Sequence, residues 1–93
     1  MIRINCFIQV EEKNRTAVLE AAKTLTAASL NQDGCLAYDI YESATRPDVL
    51  MICETWRDKV ALDAHSSSKV FHDQVKIMQE LGKLFLESFE FNK

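Results

Sequence analysis

A period of two and a period of 3.6 succeed one another along this chain in the order strand, helix, strand, strand, helix, strand, and that order leaves few folds open. Residues 2–10 alternate: Ile2, Ile4, Cys6, Ile8 and Val10 point one way, and Arg3, Asn5, Phe7 and Gln9 the other. Residues 14–31 carry helical spacing, with Val18, Ala22, Leu25 and Ser29 in one stripe widened by Ala21 and Ala28. Asn14 is the expected N-cap. Gly34 suits the left-handed residue that ends a helix and turns the chain. Residues 35–43 and 49–56 read as strands joined by a hairpin loop, Ser43 to Asp48, that holds the only proline, Pro47. Leu36, Tyr38 and Ile40 share a face of the first. Leu50, Ile52, Glu54 and Trp56 share a face of the second, with Val49, Met51, Cys53 and Thr55 opposite. Asp58 is placed to cap a short helix to His65, and Ser68 a second helix to Leu81. In the latter Phe71, Val75 and Met78 form the apolar stripe, with Val70, Ile77 and Leu81 beside it. Gly82 ends it, and residues 84–91 form a last strand rich in β-formers.

The expected fold is therefore α+β and ferredoxin-like, βαββαβ: a four-stranded antiparallel sheet with helices on one face. At 93 residues the chain reads as a single domain, 1–93, with a thin core. The later strands carry large apolar groups on both faces, whereas an antiparallel sheet with one wet face alternates cleanly. Left in water, Val49, Met51, Phe89 and Phe91 would make a large apolar patch. A second copy packed sheet to sheet removes it, so a homodimer of the dimeric α/β-barrel kind is expected.

Composition removes several partners. A net charge of −3 with no basic run argues against nucleic acid and anionic membranes. The apolar runs are only a few residues long, and the N-terminus lacks a signal-peptide core, so the expected location is the cytoplasm. Cys6, Cys35 and Cys53 show no CxxC spacing and read as reduced core residues. There is no GxGxxG, P-loop or GxSxG pattern, and no ligand spacing for a metal. No cofactor is expected.

The candidate constellation is Glu54, Trp56, His65, Ser68 and Phe71. Glu54 and Trp56 are two apart and share a face. His65 closes the short helix just before the serine run, where a break between helices opens a gap over the sheet, so it is expected at the lip of that gap. Histidine exchanges a proton near neutral pH, tryptophan offers a flat wall to an aromatic ligand, and Glu54 could orient His65 or a ligand hydroxyl. The plainer readings stand beside these: Trp56 as core, Glu54 paired with a backbone donor, Arg57 or a lysine, and His65 as a helix C-terminal cap. His72 falls on the polar side of its helix and reads as solvated surface.

The runs Gly34-Cys35-Leu36-Ala37-Tyr38-Asp39-Ile40-Tyr41, Met51-Ile52-Cys53-Glu54-Thr55-Trp56 and Ala61-Leu62-Asp63-Ala64-His65 resemble the antibiotic biosynthesis monooxygenase family. Most specific is the E-x-W strand end followed by a helix that closes on A-H. The resemblance implies a dimeric α/β barrel. Characterised members oxidise anthrones or quinols with O₂ without metal or flavin; others isomerise a small phosphorylated signal molecule or degrade haem. His65 matches the family's pocket histidine, and Glu54 and Trp56 its strand end. Ser68 and Phe71 fit the continuation H-x-x-[ST]-x-H-[FYM], but Val70 stands where its second histidine would be. The haem-degrading branch uses a tryptophan where His65 aligns and a histidine near Val75, and this chain has neither.

The leading expectation is a cofactor-independent monooxygenase acting on a small hydroxylated aromatic. His65 would accept a proton, Glu54 would orient His65, and Trp56, Phe71, Ser68 and Tyr38 would hold the substrate. A small-molecule isomerase using the same histidine, and a non-catalytic metabolite-binding dimer, remain the alternatives.

Overall fold

The computed structural model describes residues 1–92. Its elements follow the order β1 (Ile2–Val10), α1 (Glu12–Ser29), β2 (Cys35–Glu42), β3 (Val49–Trp56), α2 (Lys59–Ser66), α3 (Lys69–Leu81) and β4 (Gly82–Glu90). The four strands form one antiparallel sheet in the order β2-β3-β1-β4. This is the ferredoxin-like α+β arrangement, with the second helical segment broken into α2 and α3.

The alternation in β1 decides which face the helices cover. Ile2, Cys6, Ile8 and Val10 are buried, and so are their cross-strand partners Leu50, Ile52 and Trp56 on β3. Val18, Ala21, Ala22 and Leu25 of α1 and Met78 of α3 close this core. The opposite face carries Phe7, Met51, Tyr41, Phe85 and Phe89 and has no helix over it. Phe85 is 56% exposed and Phe89 50%.

Several local expectations are corrected. Asn14 is not the N-cap of α1; Glu11 is, without a side-chain cap bond. Asn14 instead donates to the Leu81 carbonyl, satisfying an acceptor at the end of α3 and tying the two helices together. Leu36 leaves the buried face because the β2–β3 register shifts between Cys35 and Ala37, and it is exposed while Tyr38 stays buried. Ile77 is likewise exposed. Of the cysteines, all free, only Cys6 is buried in the core; Cys35 and Cys53 are half-buried. Gly82 opens β4 and lies so close to β1 that a Cβ there would sit 2.8 Å from the Gln9 carbonyl. Asp58 and Ser68 cap α2 and α3 as expected, accepting from the backbone N–H of Ala61 and Phe71.

Gly34 has a positive φ of 81°, a region costly for residues with a Cβ. The space is also closed, since an added Cβ would collide with that of Ala61. The Arg57 N–H donates to the Gly34 carbonyl at 2.8 Å. The turn after α1 and the start of α2 are therefore pressed together, which sets the position of the site. No helix among the described residues is long and apolar enough to cross a membrane.

Candidate functional site

Three elements bring the predicted residues together. At the end of β3, Glu54 and Trp56 point toward the helices, and the shifted register sets Tyr38 of β2 opposite Glu54. The last turn of α2 delivers His65, and the cap of α3 delivers Ser68 with Phe71 one turn on. The His65 ring lies 4.5 Å from that of Trp56 at a 32° tilt, and Phe71 and Tyr38 approach it edge-on at 5.1 and 5.6 Å. His65 is thus packed into a cage of three aromatic rings. It is 2% exposed and not at an open lip.

The polar atoms in this cage are few. Trp56 Nε1 donates to Glu54 Oε1 at 2.9 Å. His65 Nε2 lies 3.9 Å from the same oxygen, too far for a hydrogen bond, and is the one fully buried side-chain nitrogen or oxygen without a partner among the described residues. His65 Nδ1 is 2.7 Å from Gln32 Oε1. Gln32 belongs to the turn after α1, and nothing in its sequence context marks it, because only the approach of α2 at Gly34 brings it here.

Burial sets the protonation behaviour. Desolvation drives the His65 imidazole down to about 4 from its ordinary 6.5, favouring the neutral ring. It raises the Glu54 carboxyl above the usual carboxylate range, against the opposing hydrogen bonds from Trp56 and Tyr38. The Tyr38 hydroxyl is pushed well above its usual range by burial and the nearby Glu54 carboxylate, and the Cys6 thiol to about 12 for the same reasons. Neither Tyr38 nor Cys6 ionises readily. They form a low-dielectric wall around one carboxylate–imidazole pair.

A cavity of about 590 Å³ opens beside this pair, between the sheet and α3, in the size range of small-molecule sites. Its walls are mostly apolar, with Ile4, Leu25, Ile52 and Met78 among them, and Glu54 is its only carboxylate among the described residues. Of the residues expected at the pocket, Glu54, Tyr38 and Phe71 line it. Trp56, His65 and Ser68 stand behind the wall, where Trp56 holds Glu54 and Ser68 holds the helix break. His72 is exposed, as expected, and with Lys76 and Gln79 it borders the cavity from the exposed side of α3. Among the described residues no three His, Cys, Asp or Glu side chains gather closely enough to hold a metal ion.

Fold and site together define a ferredoxin-like α+β domain with a buried carboxylate–histidine pair beside an apolar cavity. The family model described as antibiotic biosynthesis monooxygenase matches residues 1–76, and the chain belongs to that family. It is 53% identical to a conserved protein of unknown function, described as a possible oxidoreductase, from Bacteroides thetaiotaomicron. That crystal structure superposes with a TM-score of 0.95 over 97% of this chain and 96% of the other. The crystal structure of Rv0793 from Mycobacterium tuberculosis shares the fold at 22% identity, with a TM-score of 0.92 over 99% and 94% of the two chains. An uncharacterised Synechocystis protein, sll1783, is 28% identical over 74 residues, 80% of this chain but only 50% of that relative. The chain thus matches about half the length of that relative.

Proposed function

We propose that this chain is a cofactor-independent monooxygenase that oxidises a small hydroxylated aromatic, of quinol or anthrone type, with O₂. The observation that carries the reading is the placement of Glu54: a desolvated carboxylate in the wall of an apolar cavity, with an unpartnered imidazole nitrogen 3.9 Å behind it. Membership of the family supports it. A flat aromatic body suits the apolar walls and the Phe71 edge, and its acidic O–H or benzylic C–H faces Glu54 and Tyr38.

Glu54 takes the proton, and closing the 3.9 Å gap then lets His65 Nε2, whose lone pair is unused, accept a hydrogen bond from the resulting acid and hold the proton in the pair. The substrate anion, confined away from water, passes one electron to O₂. The substrate radical and superoxide combine to form a C–O bond, and the proton returns to complete a hydroperoxide. For an anthrone, loss of water then leaves a carbonyl: the CH₂ carbon keeps one oxygen atom, and its two hydrogens leave with the other. The role assigned to Trp56 moves from holding the ring to donating a hydrogen bond to Glu54, since it is fully buried behind the cavity wall.

The same reading makes the chain a homodimer that buries the helix-free sheet face. Support comes from the exposure of Phe85, Phe89 and Tyr41 on that face, an apolar surface that a lone domain would leave wet.

Oxygen uptake across a panel of anthrones and naphthohydroquinones tests the function. The expected result is turnover that falls by about a hundredfold or more in His65→Ala and Glu54→Gln. Absence of turnover above the buffer rate, or full turnover in both variants, refutes it.

A further inference from the structure

The Ser68 hydroxyl has a single hydrogen, and it donates to the His65 carbonyl at 2.7 Å. Its oxygen already accepts from the Phe71 N–H as the cap of α3. Toward any other neighbour Ser68 can therefore only accept. The neighbour is Gln32, whose side-chain nitrogen lies 3.4 Å away. This orients the Gln32 amide: its NH₂ faces Ser68, and its carbonyl oxygen faces His65 Nδ1 at 2.7 Å. A carbonyl oxygen can only accept, so Nδ1 must carry the ring hydrogen. A neutral imidazole has one such hydrogen, which leaves Nε2 with a bare lone pair turned toward Glu54.

We propose that Gln32 is a positioning residue that holds His65 in the Nδ1–H tautomer, its own amide oriented by Ser68, so that Nε2 is available to accept a proton at Glu54. An imidazole in water prefers the other tautomer, with the hydrogen on Nε2, and that form would turn a donor toward Glu54 and leave its one lone pair on Nδ1, facing the Gln32 oxygen. The relay is built into rigid parts. Gln32 is pinned through its backbone, its N–H donating to Ser29 and its carbonyl accepting from Cys35. The turn that carries it is held against α2 by the contact of Gly34 with Ala61. The groups facing the His65 ring are Glu54, Trp56, Tyr38, Phe71 and Gln32. Of these, only Gln32 bonds to Nδ1.

The contribution of Gln32 to turnover rests on the oxygenase reading; the tautomer does not, and the experiment separates the two. Nitrogen-15 NMR of the histidine rings at neutral pH distinguishes a protonated from an unprotonated ring nitrogen directly. The expected spectrum of the wild-type protein has His65 as Nδ1–H with an unprotonated Nε2. Gln32→Met, similar in length but without an acceptor, should move His65 to the Nε2–H form and lower kcat about ten- to a hundredfold with KM nearly unchanged. Gln32→Glu keeps an acceptor on Nδ1, so it should retain the tautomer, raise the imidazole pKa and shift the acid limb of the pH–rate profile upward. Finding Nε2–H in the wild type overturns the proposal, and so does an unchanged tautomer in Gln32→Met. If Gln32→Met does not fold, the wild-type and Gln32→Glu spectra decide. If no substrate is turned over but the tautomers behave as stated, the oxygenase reading falls and the positioning role of Gln32 stands.

Discussion

Acid should act on this protein through two buried groups of opposite sign, and Glu54→Gln should reveal one of them alone. His65 is 2% exposed, and its imidazole is driven from 6.5 down to about 4. Above pH 6.5 the ring is neutral in both folded and unfolded chains. As pH falls below 6.5 the unfolded chain binds a proton that the folded chain refuses, so stability is lost until about pH 4, where the folded ring also titrates. A difference of about 2.5 units corresponds to about 3 kcal/mol, with a steepest slope near 1.4 kcal/mol per pH unit. Glu54 opposes this. Its folded pKa is raised, so the folded chain takes up a proton first and gains stability as pH falls through that value. In the wild type the two partly cancel. Glu54→Gln removes the opposing group and keeps a polar side chain at the position, so the His65 loss should appear nearly whole. The measurement is urea unfolding at fixed protein concentration from pH 7.5 to 4, followed by the fluorescence of Trp56, the only tryptophan and fully buried. The exposed carboxyls of Asp33, Asp48 and Asp58 are held below their ordinary range, so their losses come at more acid pH. A flat stability from pH 6.5 to 4 in Glu54→Gln refutes the burial argument for His65.

Phe89→Asp or Met51→Lys should place a charge in the proposed sheet-to-sheet interface and give a lighter or unfolded species. The wild type should melt at a temperature that rises with its concentration, and a wild-type mass near 10.6 kDa by light scattering at micromolar concentration defeats the dimer. Gly34→Ala adds a left-handed backbone cost of about 1–2 kcal/mol to a collision with Ala61. Thermal unfolding should show it destabilised by more than that alone, and a neutral result would mean that α2 is free to move away from the turn.

The alternation of Ile2, Ile4, Cys6 and Ile8 and the stripe Val18, Ala22 and Leu25 were enough to specify strand and helix, because side-chain direction in each repeats with the backbone period and burial follows it. The caps Asp58 and Ser68 were legible for a local reason: each bonds three residues along its own chain. Two alternating faces on β3 likewise announced an apolar sheet on both sides. Which one the helices would cover was not in the pattern, because either face of Leu50 to Trp56 could serve. The sheet register against β1 decided it. Leu36 was misplaced because a one-residue register shift leaves no trace in an alternation read from one strand. In the site, Glu54, His65 and Phe71 were visible as residue types at a promising spacing, but not their depth. Packing put His65 and Trp56 behind the wall and left Glu54 in it. Gln32 was silent in the sequence because its partner is 33 residues away. The contact exists only because Gly34, lacking a Cβ, lets two turns of chain close on each other. Periodicity sets what is local; which lone pair is left without a partner is set by what the fold brings beside it.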